Sequence, residues 1–358
     1  MSKKIIFTSG GTGGHIFPAI NLMKYFSSKG YDVLLITDLK GNNFLKNYKE
    51  ARSLVIKTDT TTNKNIFRKI SSLIKIFFSL INSIVILFKE KPDLIIGFGG
   101  YVSFPISFSS IFFKIPLVIY ENNLVLGRAN KKLINISKKI LLASQLPENF
   151  PKKYLEKAYK VGSILDKKIL DYSEKKEKNK NIFSILVLGG SQGAEIFGKV
   201  IPSVVEKLNN REIKIKINQQ CLEYQKKSII DFYKEKKISY NVFTFTDNIL
   251  NLISESDLAV SRCGASTTSE LVQTLTPFIA VPYPFSTDNH QYLNAKYYKS
   301  LGCCWMLEQN NFDTNNLYNL ILEIIKDEKK LDSMKKNMKV NSSGNVYNKI
   351  ENVIKEFI

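Results

Sequence analysis

The sequence predicts an α/β protein of two Rossmann-like domains, each built on a parallel sheet and the two facing a cleft. Three observations carry that expectation. First, two glycine-rich loops stand half of the 358-residue chain apart. One is Ser9-Gly10-Gly11-Thr12-Gly13-Gly14-His15 after Ile5-Ile6-Phe7; the other is Gly189-Gly190-Ser191-Gln192-Gly193 after Ile185-Leu186-Val187-Leu188. Second, strand-length apolar runs alternate with helix-length patterns in both halves, which is how parallel βαβ units read. Third, the register changes after Lys160-Val161-Gly162, and the charged, apolar-poor segment 171–181 reads as an exposed loop before the second series begins.

Taken in order, apolar runs at 4–8, 33–37, 94–98 and 116–120 are strands, with helices expected near 18–29, 66–89 and 103–113. Strands near 183–188, 213–217, 242–245, 257–261 and 278–281 follow, with helices between them. The chain is helical from about 315 until Asn341-Ser342-Ser343-Gly344 breaks it. Val346, Ile350, Val353, Ile354 and Phe357 then recur three or four apart, giving the last helix one apolar face. The expected domains are 1–162 and 163–344, with the helix 345–358 packing back on the first.

The chain is long enough for two ordinary cores. Its four cysteines form no CxxC pair, so a reducing compartment is expected and the adjacent Cys303 and Cys304 read as small buried hydrophobes. The formal charge is +20, yet only five of the 52 basic residues are arginine. Nucleic-acid readers lean on arginine for bidentate contacts, so a nucleic-acid partner is not expected. Excess lysine still draws the chain toward anionic surfaces such as phospholipid headgroups. The N-terminus runs directly into a strand and reads as lacking a signal peptide. The most apolar stretch, Ile76–Phe88, has 13 residues where a span needs about 20. Two readings stay open for it: the core face of a buried helix, or an interfacial helix flanked by Arg68, Lys69, Lys75, Lys114, Lys138 and Lys139.

A strand, a tight glycine turn and a helix N-terminus hold an anion, because free N–H groups and the helix dipole point at it. Neither loop is a P-loop, since no GK[ST] follows, and the first has Ile16 where a dinucleotide fingerprint needs a third glycine. His15 stands directly behind the first loop, at the strand edge where doubly wound folds place ligands, and histidine suits proton transfer near neutral pH. Gly97-Phe98-Gly99-Gly100-Tyr101 and Tyr120-Glu121-Asn122-Asn123 follow later strands and converge on the same edge. In the second half Arg262-Cys263-Gly264-Ala265-Ser266-Thr267-Thr268-Ser269-Glu270 offers small residues and a helix start for phosphate, and Glu270 can accept from two ribose hydroxyls. Its plainer reading is a capping acid. No DxD, HExxH or spaced Cys/His set occurs, so no metal and no cofactor are expected. A UDP-sugar epimerase of the same architecture and a basic binding protein remain as other readings of these residues.

Together, GGTGGHIFPA at 10–19, FGGYVSFP at 98–105, GGSQGA at 189–194 and SRCGASTTSE at 261–270 resemble the MurG family. These are peripheral membrane glycosyltransferases that add N-acetylglucosamine to undecaprenyl-pyrophosphoryl-N-acetylmuramyl-pentapeptide, lipid I, in peptidoglycan synthesis. The resemblance covers nearly the whole chain. It implies a GT-B fold and an inverting, metal-independent transfer from UDP-GlcNAc on the cytoplasmic face of the cell membrane. It also implies anionic lipids, and other cell-wall enzymes, as partners. Matched position by position, Thr12, Gly13, Gly14 and Asn123 lie beside the donor sugar and the acceptor, and Ser191 meets the donor's diphosphate or uridine. Thr246 takes a place beside uracil where the family has an aliphatic residue. Ala265, Ser266, Thr267, Thr268, Ser269 and Glu270 hold diphosphate and ribose, and Gln291 meets the GlcNAc hydroxyls. His15, Tyr101 and Glu121 fall on the acceptor side, with His15 or Glu121 as the base.

The chain departs from the family pattern in three places. A family HEQN is Tyr120-Glu121-Asn122-Asn123 here, a pair of glutamines is His290-Gln291, and Gly-Asn-Pro-x-Arg is Gly162-Ser163-Ile164-Leu165-Asp166. An aspartate therefore stands where an arginine near the donor phosphates is expected. Lys167 or Lys168 is the nearest replacement charge, without arginine's bidentate fork.

Overall fold

The computed structural model describes residues 2–45, 52–58, 66–172, 182–190 and 193–358, with the side chains of 66–71 and 73 left aside. The chain divides into two compact units, Met1–Asp166 with Gly344–Ile358, and Lys167–Ser343.

The first unit holds a seven-stranded parallel sheet. Its strands are β1 (Lys4–Thr8), β2 (Asp32–Thr37), β3 (Ser53–Val55), β4 (Leu94–Gly97), β5 (Leu117–Glu121), β6 (Lys139–Leu142) and β7 (Ala158–Lys160), in the order β3-β2-β1-β4-β5-β6-β7. The second unit holds six parallel strands: β8 (Phe183–Leu188), β9 (Ile215–Gln220), β10 (Ser239–Phe243), β11 (Leu258–Ser261), β12 (Phe278–Ala280) and β13 (Cys304–Met306). Their order is β10-β9-β8-β11-β12-β13. Each sheet thus reverses direction beside its first strand, between β1 and β4 and between β8 and β11. Loops leaving those strand ends diverge and open a crevice.

The central strands are apolar throughout because both faces are covered. Successive side chains point opposite ways, so Ile5 and Phe7 join one core with Ile16 and Phe26 while Ile6 joins the other with Leu34 and Ile106. Ile185 and Val187 likewise face Phe197 and Val204, and Leu186 faces Leu271 and Phe278. The last helix, Val346–Ile354, buries Val346, Ile350 and Ile354 in the first unit's core. Tyr347 stacks on Tyr25 with ring centroids 4.8 Å apart and donates to the Leu165 carbonyl at 2.6 Å.

Several elements differ from the sequence expectation. The strands β3, β6, β7 and β13 are additional; each has three or four residues, too few for a periodic signal. The expected helix 103–113 is an α-helix over Ser103–Ser109 and a 3-10 turn over Ser110–Phe113, closed by Lys114 at φ 55°. The first helix begins at Gly13, not near 18, so Pro18 lies inside it. A proline at that place has no N–H for the carbonyl four residues earlier, that of Gly14. Asn122 fills the gap: its Nδ2 donates to Gly14 O at 3.2 Å.

The helix Ile66–Glu90 packs against Ser103–Ser109 and Ser110–Phe113 with an unusual polarity. Ser72, Ser79, Ser83 and Leu87 face inward and are buried, while Ile74, Phe77, Phe78, Ile81, Val85 and Phe88 face out, Phe88 66% exposed. The reading of Ile76–Phe88 as the core face of a buried helix is therefore corrected.

Candidate functional site

In the first unit the loops after β1 and β4 meet backbone to backbone. Gly10 N donates to Gly99 O at 3.0 Å. A Cβ on Gly100 would lie 2.7 Å from the Gly10 Cα, and Gly99 and Gly100 have φ of +86° and +79°, so no other residue fits there. That close approach brings the His15 ring against Gly99: a Cβ there would lie 3.2 Å from its Cε1 and 3.4 Å from its Nδ1. His15 is half-buried, with Thr12 and Gly14 exposed before it and Gly13 buried beneath. The helix start carries no acidic residue in its first turn and no side-chain cap from Thr12. No side chain of that first turn or of its cap competes there with an arriving anion.

Tyr101 reaches the same edge, its hydroxyl donating to Asp38 Oδ2 at 2.8 Å. Asp38 was not among the expected residues. It also accepts from Gly41 N at 2.7 Å, as a helix cap, and from Gly11 N at 3.3 Å, so one carboxylate joins three loops. Its only sequence signal is an aspartate at the C-terminal end of an apolar strand, which equally marks an ordinary cap.

Glu121 sits differently from the expectation of an acceptor-side base. It is 1% exposed. Its Oε1 accepts from Asn123 N (3.1 Å) and Asn123 Nδ2 (3.4 Å), and its Oε2 from Gly127 N (2.8 Å) and Asn130 Nδ2 (3.0 Å). Burial pushes its pKa up, opposed by those same N–H groups. The carboxylate shapes the turn 122–127 and orients Asn123 and the buried Asn130, another residue the sequence did not single out. Glu121→Gln turns an NH2 toward N–H donors, and a buried donor left without an acceptor costs about 1–3 kcal/mol. A lower denaturation midpoint is the expected result. Unchanged stability with lost turnover would return Glu121 to the role of base.

In the second unit the loops after β8 and β11 meet at the other switch point. Gly190 and Gly193 take φ of +78° and +72°, and Gly193 N closes on Gly190 O at 3.0 Å. Ser191 lies outside the described residues. Gln220, which the sequence did not flag, ties this loop to the segment that leads to Thr246: its Oε1 accepts from Gly189 N at 3.0 Å and its Nε2 donates to Thr244 O at 3.1 Å. The Thr246 hydroxyl accepts from Asn248 N at 3.0 Å. Its side chain is thereby engaged in the turn.

After β11 the helix Ala265–Gln273 starts at Gly264 with no side-chain cap and no acid in its first turn. The expected binding residues divide here. Ser266, Thr267 and Glu270 are partly exposed, while Ala265, Thr268 and Ser269 are buried. The Thr268 hydroxyl returns to Gly264 O and Ala265 O at 3.1 Å, serving its own helix, and the Ser269 hydroxyl lies 3.1 Å from Tyr298 Oη, tying that helix to His290–Ser300. Gln291 is also partly committed: its Oε1 accepts from Cys263 N (3.2 Å) and Tyr283 N (3.0 Å). What it can offer a sugar is the amide nitrogen. Asp166 is half-buried, immediately before the short helix Lys167–Leu170, whose two lysines are exposed.

Arg262 is 7% exposed beneath this loop. Its guanidinium lies between the rings of Phe197 (5.0 Å) and Tyr283 (5.3 Å). It donates to Val281 O, Pro282 O and Gln309 Oε1 at 3.2, 3.3 and 2.6 Å. Burial lowers its pKa, but a guanidinium stays charged at neutral pH. A cation held by carbonyl oxygens thus sits next to the glycine turn, with Gly190 adjoining its Cβ.

Two family models match the chain, the glycosyltransferase family 28 N-terminal domain over residues 5–142 and the family 28 C-terminal domain over 184–350. A UDP-N-acetylglucosamine–N-acetylmuramyl-(pentapeptide) pyrophosphoryl-undecaprenol N-acetylglucosamine transferase of Pelagibacter ubique is 34% identical over 98% of this chain and 97% of its own. A transferase of the same name from Rickettsia felis is 35% identical over 94% of each. Among solved structures, Acinetobacter baumannii MurG superposes with a TM-score of 0.80 at 25% identity over 99% of both chains. The glycotransferase of kitacinnamycin, at 0.71 and 12%, shares the fold alone. Two parallel-sheet units, each with a glycine-lined site at its switch point, and this full-length similarity lead to one assignment: the chain belongs to the MurG family of GT-B glycosyltransferases, within glycosyltransferase family 28.

Proposed function

We propose that this chain transfers N-acetylglucosamine from UDP-GlcNAc to the C4 hydroxyl of undecaprenyl-pyrophosphoryl-N-acetylmuramyl-pentapeptide, inverting the anomeric centre without a metal. The observation that carries the residue assignment is the half-buried His15 ring set against Gly99, directly after an uncapped helix start. His15 takes the proton from the acceptor hydroxyl as its oxygen attacks the anomeric carbon. Glu121, with all its nearby N–H donors engaged, positions Asn123 and Asn130 and takes no proton. Thr12, Gly13, Gly14 and Asn123 line the acceptor and sugar, and Tyr101, braced by Asp38, borders them.

The donor belongs to the second unit. Its diphosphate rests on the N–H groups of the Ala265 helix start and on the loop containing Ser191. Arg262 adds a fixed positive charge below, so UDP leaves into a preorganised field. Glu270 accepts from the ribose hydroxyls, the Thr246 backbone meets uracil, and the Gln291 amide meets the sugar. Incubation with labelled UDP-GlcNAc and lipid I is the direct test: labelled lipid II, formed equally in EDTA, is expected. Epimerised UDP-sugar in its place would overturn the reading, and loss of activity in EDTA would overturn the metal-free mechanism.

Glu270→Ala removes charge-assisted hydrogen bonding to the ribose, about 1.5–3 kcal/mol in total, so UDP affinity falls about 10- to 150-fold. Calorimetry with the folded variant checks this; unchanged affinity removes Glu270 from the donor site.

The acceptor is a polyprenyl lipid, and no described helix is long and apolar enough to cross a membrane. The inside-out helix Ile66–Glu90 supports a peripheral contact with the cytoplasmic leaflet. Its serines pack inward, as small residues do at helix contacts within lipid, and its outward stripe is apolar. Ile111 and Phe112 of the adjoining turn extend that stripe, and Lys75, Lys89 and Lys114, in or directly after these elements, are exposed. Apolar side chains rimmed by lysine suit an anionic lipid surface.

A further inference from the structure

We propose that Tyr120 is a positioning residue for the transfer, fixing the turn that carries His15 through a hydrogen-bond chain that starts in the connector 162–166. The proposal rests on the reading of His15 as the base.

The chain is continuous. Ile164 N donates to Tyr120 Oη at 3.1 Å. Tyr120 Oη in turn lies 3.1 Å from Asn122 Oδ1, as donor, with Gly162 O further off at 3.4 Å. Asn122 Nδ2 donates to Gly14 O at 3.2 Å. Tyr120 is 1% exposed and Asn122 7%, so water does not compete readily for these bonds. The last acceptor is not an ordinary helix carbonyl. Pro18 has no N–H to return to it, so the Gly14 carbonyl, the one just before His15, takes its donor from outside the helix. Asn122 can donate correctly only if its amide is oriented, and the Tyr120 hydroxyl on its oxygen sets that orientation.

Three departures from the family pattern meet in this chain of bonds. Tyr120 stands where the related motif has histidine, Asn122 where it has glutamine, and Ile164 where it has proline. Proline has no N–H to give. The N–H of Ile164 and the phenolic oxygen that accepts it are both present here.

Tyr120→Phe keeps the ring and removes the hydroxyl. The expected result is a kcat about three- to tenfold lower at saturating substrates, as for loss of one buried hydrogen bond, with the KM for UDP-GlcNAc unchanged. Ile164→Pro removes the first donor at the other end of the bond, from a residue that is itself in the first unit's core, and is expected to lower kcat in the same direction. Tyr120→His with Asn122→Gln and Ile164→Pro, the related motif's own set, is expected to recover most of the parent rate. Because His15 and His290 are the only histidines, imidazole NMR resonances supply a second readout: those of His15 shift in Tyr120→Phe and those of His290 stay. In a His15→Ala background, assayed by single turnover, Tyr120→Phe is expected to cost nothing more. Parent kcat and unshifted His15 resonances in Tyr120→Phe overturn the proposal. So does an equal loss with and without His15. If His15→Ala itself turns over at the parent rate, the base assignment fails first, and the relay with it.

Discussion

His15→Ala lowers kcat about 10²- to 10⁴-fold at saturating substrates, the range supplied by one positioned base, while UDP binds as to the parent. The separation follows from the two sites. His15 belongs to the first unit, whereas the nucleotide's expected contacts, from the Gly189–Gly193 loop to Glu270, all lie in the second. The acceptor hydroxyl is a poor nucleophile until its proton leaves, so removing the base slows the chemical step and spares donor binding. Added imidazole, small enough to enter the space left by the ring, is expected to restore part of the rate. Rescue by imidazole separates lost proton transfer from lost packing. Near-parent turnover in a folded His15→Ala protein would remove the base assignment.

The alternative base, Glu121, shows what sequence can and cannot reveal. Its position at the end of β5 was legible, because an apolar run ending in polar residues marks a strand edge. Its burial was not, because nothing local says that Asn123, Gly127 and Asn130 all turn their N–H groups onto it. The same holds for Gln291, where the expected sugar contact shares its amide with the backbone of Cys263 and Tyr283. Glycine motifs read well because their signal is steric and local: Gly10 and Gly100 touch through their backbones, and only glycine allows it. Side-chain roles read poorly because they depend on partners tens of residues away. Asp38, Gln220 and Asn122 act by bridging loops, and each looks like an ordinary cap or turn residue in isolation.

The central strands were legible for the complementary reason. Burial on both faces makes β1, β4, β5, β8 and β11 continuous apolar runs, while β3, β7 and β13 at the sheet edges are three residues long and carry no period. The helix Ile66–Glu90 marks the limit of periodicity itself. Its pattern says that Ser72, Ser79 and Ser83 share one face and Phe77, Phe78, Ile81 and Phe88 another. It does not say which face turns inward, and burial of apolar side chains ordinarily decides that question. Here packing against Ser103–Ser109 decides it the other way.

That inversion gives the proposed membrane contact the second large effect. Phe77, Phe78 and Phe88 are 60%, 62% and 66% exposed. Burying an apolar side chain of this size contributes roughly 1.5–3 kcal/mol, so burying the exposed part of each contributes about 1 kcal/mol or more. Replacing all three by serine therefore weakens binding to phosphatidylglycerol vesicles by roughly 3 kcal/mol or more, on the order of 10²-fold. Fold stability should hold or rise, since the changed side chains point into water. The charged rim acts separately. Glutamate at Lys75, Lys89 and Lys114 removes about 1 kcal/mol of attraction for each lysine near the surface, and that part is screened by salt. Sedimentation with vesicles at low and high salt resolves the two. The serine variant is expected to lose binding at both salt concentrations, and the glutamate variant chiefly at low salt. Turnover of a short-chain, water-soluble acceptor should be unchanged in the serine variant, because no residue of the stripe belongs to either switch-point site. If the serine variant sediments like the parent, the stripe is not the membrane contact, and the apolar face of Ile66–Glu90 needs a different partner.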